Sequence, residues 1–167
     1  MSQNRPPATI PFPNASGASK ADGYWLPPWI YPPAETEPID DIAYIVLPAI
    51  GVTSIILQRI VEPGYNGVLV AFANNFVGGG WTEGSGAVTW QINIDGAPVP
   101  GYDLIPASLG SPANPVRHPS GIRILEGSTI TLLVTNVSVV PSAQLSGGRW
   151  QGYLYPKEYE DPNFGGQ

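Results

Sequence analysis

The 167-residue chain has one histidine, His118, and no cysteine. Those two counts remove much of the chemistry open to a small protein. Without thiols there is no disulfide framework, zinc–thiolate site or cysteine nucleophile. A histidine acting as general base needs a nucleophile or an orienting acid beside it. The run Asn114-Pro115-Val116-Arg117-His118-Pro119 supplies neither. Its prolines predict a surface loop, and a structural or incidental role is expected for His118. An oxygen-ligand metal site needs clustered carboxylates. The acids of the central region stand singly, as Glu62, Glu83, Asp95, Asp103 and Glu126. Asp95 and Glu126 each precede a glycine, where turn chemistry accounts for them. A glycosidase pair would have to assemble from distant positions. The chain is therefore read as not an enzyme, with no catalytic residue, metal or cofactor.

Two stretches have residue types suited to binding. Gly78-Gly79-Gly80-Trp81-Thr82-Glu83-Gly84-Ser85-Gly86 lacks the spacing and the lysine of a phosphate loop. It is expected to be a flexible connection, with Trp81 a candidate contact for a sugar ring or a receptor. The second is Tyr24-Trp25-Leu26-Pro27-Pro28-Trp29-Ile30-Tyr31-Pro32-Pro33, in which four aromatics and four prolines share ten residues. Proline fixes φ and pushes the preceding residue to extended conformations. Residues 1–41 are thus expected to form an extended, polyproline-II-like arm. Rigid prolines reduce the entropy lost on docking, and indole and phenol rings supply contact area at few rotatable bonds. Trp25, Leu26, Trp29, Ile30 and Tyr31 are the expected anchors, docking outside their own sandwich.

The grammar changes at Ile42. Short β-rich runs alternate with turn signals, and strands are predicted at about 42–47, 52–61, 67–77, 87–94, 101–105, 121–125, 128–137 and 148–155. Val88-Thr89-Trp90-Gln91-Ile92-Asn93-Ile94 alternates apolar and polar positions, and Asp95-Gly96 turns the chain. Trp90 and Trp150 fall in the inward phase. Glu126-Gly127 between two such runs predicts a hairpin. With no convincing helix, the expected fold is all-β: a jelly-roll-like antiparallel β-sandwich over 42–157, the arm before it and an acidic tail, 158–167, after it. An immunoglobulin-like sandwich is the alternative.

The runs at 55–61 and 67–73 are apolar on both faces. Either a loop or the arm covers the second face, or that face is a subunit interface, with Ile56, Ile60 and Leu69 the candidates. The interface reading predicts a homo-oligomer, with a trimer as first expectation. The net charge of −6 sits at the ends of the chain, in residues 1–50 and from residue 158, around a neutral body. No basic stripe exists, so nucleic acid is not an expected partner. The apolar stretch Ile42–Leu57 is broken by Pro48 and Gly51, so no membrane partner is expected. The N-terminal residues MSQNRPPATIPFP lack the pattern of a secretory signal.

Several segments resemble small β-sandwich virion proteins of tailed bacteriophages, the capsid decoration proteins and head or neck fibre components. They are Val61–Gly67, Ile92–Val99, Glu126-Gly127 with the strand that follows, Val134-Thr135-Asn136 and the ending Gly152-Tyr153-Leu154-Tyr155-Pro156. The resemblance spans about residues 50–156. It implies a structural protein made in the host cytoplasm and carried on the virion, whose arm grips capsid, neck or tail subunits. The expected role is capsid decoration, head–tail adaptor or fibre anchor. The alternative is a carbohydrate- or receptor-binding module working through Trp81.

Overall fold

The computed structural model describes residues 35–78, 81–139 and 144–160. The arm anchors Trp25, Leu26, Trp29, Ile30 and Tyr31 lie outside the described residues. Eight strands are present among those described: β1 (Glu37–Val46), β2 (Thr53–Ile60), β3 (Tyr65–Val77), β4 (Val88–Ile94), β5 (Ala97–Pro98), β6 (Val116–Ile124), β7 (Thr129–Asn136) and β8 (Leu145–Pro156). A single 3-10 turn, Lys157–Glu160, follows.

The strands form two four-stranded sheets, ordered β1-β8-β3-β6 and β2-β7-β4-β5. Pairing is antiparallel and nested: β1 with β8, β2 with β7, β3 with β6 and β4 with β5. A long hairpin rolled on itself gives this nesting, which is the topology of an eight-stranded jelly roll. An immunoglobulin order would not pair the first strand with the last.

Alternation drives the packing. β7 reads buried at every second residue, at Ile130, Leu132, Val134 and Asn136. Val88, Trp90 and Ile92 on β4 fill the same layer from the neighbouring strand. The opposite sheet contributes Ile39, Leu69, Phe72, Ile124, Trp150 and Leu154. Both core indoles find acceptors: Trp90 Nε1 donates to Ser146 Oγ at 2.9 Å, and Trp150 Nε1 to Asp41 Oδ2 at 2.7 Å. Gly148 and Gly152 flank Trp150 on β8. A methyl group at Gly148 would strike Leu132, and one at Gly152 would strike the Val68 carbonyl.

The Asp95-Gly96 turn is as the sequence predicts. Both residues have positive φ, 53° and 80°, and they join β4 to β5 as a tight hairpin. The Glu126-Gly127 turn is different. β6 lies in one sheet and β7 in the other, so this turn carries the chain between layers and the expected hairpin is absent. The Pro63-Gly64 turn likewise carries the chain from one sheet to the other, from β2 to β3. Glu126 ties the two corners together, accepting from Gly64 N and from Lys157 Nζ, each at 2.6 Å.

Three boundaries also move. β1 begins at Glu37, inside the expected arm, and its Pro38 is tolerated because β1 is an edge strand. β6 begins at Val116 and includes His118. The expected strand 101–105 is instead an irregular segment beside β4, bridged where Ile105 and Trp90 exchange backbone bonds of 2.9 and 3.0 Å.

Candidate functional site

His118 is buried in the core-side layer, 8% exposed, and does not stand on a surface loop. Its ring stacks on Phe72 at 5.1 Å, and the Tyr102 ring meets it edge-on at 4.8 Å. Tyr102 Oη lies 2.5 Å from His118 Nδ1. The phenol is the stronger acid of the two, so we assign its O–H as donor to Nδ1, which leaves the imidazole proton on Nε2. Nε2 is buried and has no partner among the described residues. Burial holds the imidazole below its ordinary pKa, so the ring is neutral near pH 7.

Beside His118 opens a cleft of about 420 Å³ between the free edges of the two sheets, lined by Ile94, Pro98, Pro100, Tyr102, Ile122 and Arg123. β5 and the residues after it form one wall, and β6 forms the other. The walls are mostly aliphatic and proline, with the Tyr102 ring, the Arg123 side chain and His118 among them. Among the described residues the imidazole's hydrogen-bond partner is Tyr102, not a carboxylate.

Other charged groups act as ties. Asp40 is held below its usual carboxylate range by the Arg149 guanidinium, which contacts it twice at 2.6 Å. Arg149 also donates to the Pro112 carbonyl at 2.5 Å. Arg149 stands opposite Ala73 in register, so this bond holds residues near Pro112 over the outer face of β3. At the far end, Glu160 accepts from Tyr155 Oη at 2.6 Å and pairs with Arg123. Burial, reinforced by Glu160, pushes the Tyr155 phenol upward. Asp95 Oδ1 accepts from Thr129 N at 2.7 Å as a turn residue. Among the described residues no three His, Asp or Glu side chains gather to hold a metal ion.

The candidate interface residues divide. A bulge between Ile55 and Leu57 turns both Ile56 and Leu57 inward and leaves Ile55 and Ile60 exposed. Ile56 therefore belongs to the core and cannot serve as an outer contact, and Leu69 is fully buried there as well. Ile60 alone of the three faces solvent. On β3 the second face, with Val68, Ala71 and Ala73, is already buried within this chain. Trp81 is half-buried: its ring lies 5.3 Å from Phe76 and 5.8 Å, edge-on, from Trp90, with Nε1 turned inward. It is a flank of the core rather than a free platform. The side-chain amide of Asn136 is likewise enclosed, bonded to the Pro48 and Val139 carbonyls at 2.8 Å.

One surface was not singled out from the sequence. Val46, Leu145 and Val77 stand in one row across β1, β8 and β3, all exposed. Tyr44 and Ile42 extend the row down β1. Their signal was the even-numbered alternation Ile42, Tyr44, Val46, which marks one face of a strand without saying which.

No known protein family matches the sequence, and no curated protein matches it. The chain is similar in fold to a chain from the structure of infectious bursal disease virus Gt strain, at 13% identity and a TM-score of 0.35, with 74% of this chain and 33% of that chain covered. It thus spans about a third of the length of that chain, and a likeness of this degree says nothing of what this chain binds.

Proposed function

We propose that the chain is a non-enzymatic structural protein of a tailed-bacteriophage virion, a jelly-roll body attached to capsid or neck through its N-terminal arm. The exposed row Val46–Leu145–Val77, continued by Tyr44 and Ile42, is the observation that carries this reading. Free-standing domains seldom leave contiguous apolar surface in water, and such a patch marks a contact with protein. A proline-rich arm on the same chain supplies a second attachment of low entropic cost. The row also supports association with copies of itself. The carbohydrate-binding alternative rested on Trp81 as a free platform, and its packed ring removes that support.

The test is reconstitution. Particles lacking the protein are mixed with purified chain, with and without residues 1–34, and bound copies are counted by quantitative mass spectrometry. Saturable binding that needs the arm supports the reading. Hundreds of copies would assign the shell, and six or twelve the neck or tail. No binding by the full chain would overturn it.

A further inference from the structure

An open sheet leaves unpaired backbone along both edges, and each edge needs a device that keeps other strands from joining it. Among the described strands β5, β6 and β2 each have one. β5 is only two residues long. β6 carries Pro119 and leaves its ladder with β3 between Arg117 and Ile122. β2 has the bulge between Ile55 and Leu57. β1 is different. It pairs with β8 over all ten residues without a break in register. Its first half carries Pro38, Asp40 and Asp41, but Ile42-Ala43-Tyr44-Ile45-Val46 holds no charge, glycine or proline.

The backbone of that stretch turns away from the sheet at every second residue. Leu47 N donates to Gln144 O at 3.0 Å, which fixes the phase of the β1–β8 ladder. Antiparallel pairing alternates bonded and non-bonded pairs. Ala43 and Ile45 therefore bond to β8, while Ile42, Tyr44 and Val46 turn N–H and C=O to the free edge. Among the described residues no other strand or loop bonds those groups. Pro38 falls in the same outward phase, where its missing donor costs the sheet nothing. The Tyr44 ring lies back over Gly147 on β8, in the space a side chain there would need, so it leaves the edge open.

We propose that β1 pairs antiparallel with β1 of a second copy, about a two-fold axis at Tyr44, so that the two β1-β8-β3-β6 sheets become one. Charge sets the register. With the axis at Tyr44, Ile42 stands opposite Val46 and Ala43 opposite Ile45, and both acids lie beyond the seam. An axis at Asp41 would set acid against acid, and one at Ala43 would set Asp40 against Val46. Pro48 lacks a donor and ends the seam on the other side. On the outer face one apolar strip results, with Val77, Leu145 and Val46 of one copy running on into Ile42 of the other. The contact is isologous, so it closes at two copies and does not grow a filament. It rests on the reading of the exposed row as a self-association surface, not on attachment to a virion.

The experiment uses the full chain in solution, without particles, so its failure leaves the virion reading standing. Ile42→Pro removes one outward donor and no bond to β8. It should sediment as a monomer with the circular dichroism spectrum of the wild type, which should sediment as a dimer. The chain has no cysteine, so introduced thiols report the register directly. In the proposed seam the Cα atoms of residue 42 and the partner's residue 46 lie about 5.5 Å apart, within disulfide reach. Two copies of residue 42 lie about 14 Å apart, beyond it. Oxidising an equal mixture of Ile42→Cys and Val46→Cys should therefore give the mixed dimer, and neither variant alone should link. Should Ile42→Pro fail to fold, this pair decides the question. A monomeric wild type, no mixed link, or links as frequent within each variant as between them overturns the proposal. A folded Ile42→Pro that associates like the wild type also overturns it, and leaves association to the outer row alone.

Discussion

Asp41 joins the two sheets at their edge. Its carboxylate takes both oxygens' worth of contact from Arg59 Nη1 on β2, at 3.1 Å each, and Oδ2 also accepts from the Trp150 indole at 2.7 Å. Asp40, the next residue, faces the opposite way and pairs with Arg149 on the outer surface. Two adjacent acids, given opposite faces by strand alternation, therefore do different work.

Their substitutions should separate accordingly. Asp41→Ala leaves the buried Trp150 Nε1 without an acceptor and strips Arg59 of its counter-ion. The expected cost is about 2–3 kcal/mol. For a domain of this size that is a fall in Tm of about 4–12 °C. Asp40→Ala removes an exposed pair, and its melt should move much less. Differential scanning calorimetry of both variants is the check, and equal shifts would contradict the assignment.

Gly152→Ala tests the packing of β8 against β3. The added methyl meets backbone, at the Val68 carbonyl and Leu69 Cα, so no rotamer change relieves it. A loss of about 1–3 kcal/mol is expected from overpacking. Gly64→Ala is a different case, since its cost arises from a positive φ of 90° and not from a clash. Urea unfolding of both should show Gly152→Ala as the more destabilised.

The fold was largely legible because period-two alternation survives in a sheet with one face buried. Trp90 and Trp150 were placed in the core from phase alone, and both are there. The errors share a cause: the same local signal serves two geometries. Glu-Gly turns a hairpin or carries a chain between sheets, and only the partner strands decide which. The strand expected at 148–155 begins three residues earlier, at Leu145, so Gly147 as well as Gly148 lies within β8, where Tyr44 and Leu132 occupy the space side chains would need. Proline near His118 reads as a loop, yet β6 is an edge strand and tolerates it. The cleft had no local signature at all, because Phe72, Tyr102 and His118 meet only through the fold. The Ile55–Leu57 bulge put Ile56 and Ile60, expected on one face of β2, on opposite sides, and a bulge shifts phase without changing residue type.

His118 should make stability depend on pH in a definite direction. Burial lowers its folded pKa below the unfolded value of about 6.5. As pH falls through 6.5 the unfolded chain takes up the proton first, so its contribution to stability is complete above about 6.5 and declines toward the lowered folded value. Below that value the decline ends. Urea midpoints measured from pH 7.5 to 5 should fall in the wild type and stay flatter in His118→Gln, whose amide can still accept from Tyr102. A flat wild-type profile would show that the ring is not held neutral by burial.

The outward row gives the remaining prediction. Val46, Leu145 and Val77 are neighbours across three strands, so their exposed faces form one surface and not three scattered contacts. If copies associate through it, a charge in its middle acts on each contact at once. Leu145→Lys would place an ammonium between Val46 and Val77, and a charge brought against an apolar partner must be desolvated without a counter-ion. The isolated fold should tolerate the change, because Leu145 starts β8 at an exposed position. Sedimentation velocity at micromolar concentration should show the wild type as an oligomer and Leu145→Lys as a monomer of unchanged melting temperature. Ile60→Lys, on the outer face of the other sheet, is the control and should leave association intact. A monomeric wild type would remove self-association from the role of this surface, and dissociation by Ile60→Lys alone would move the interface to β2.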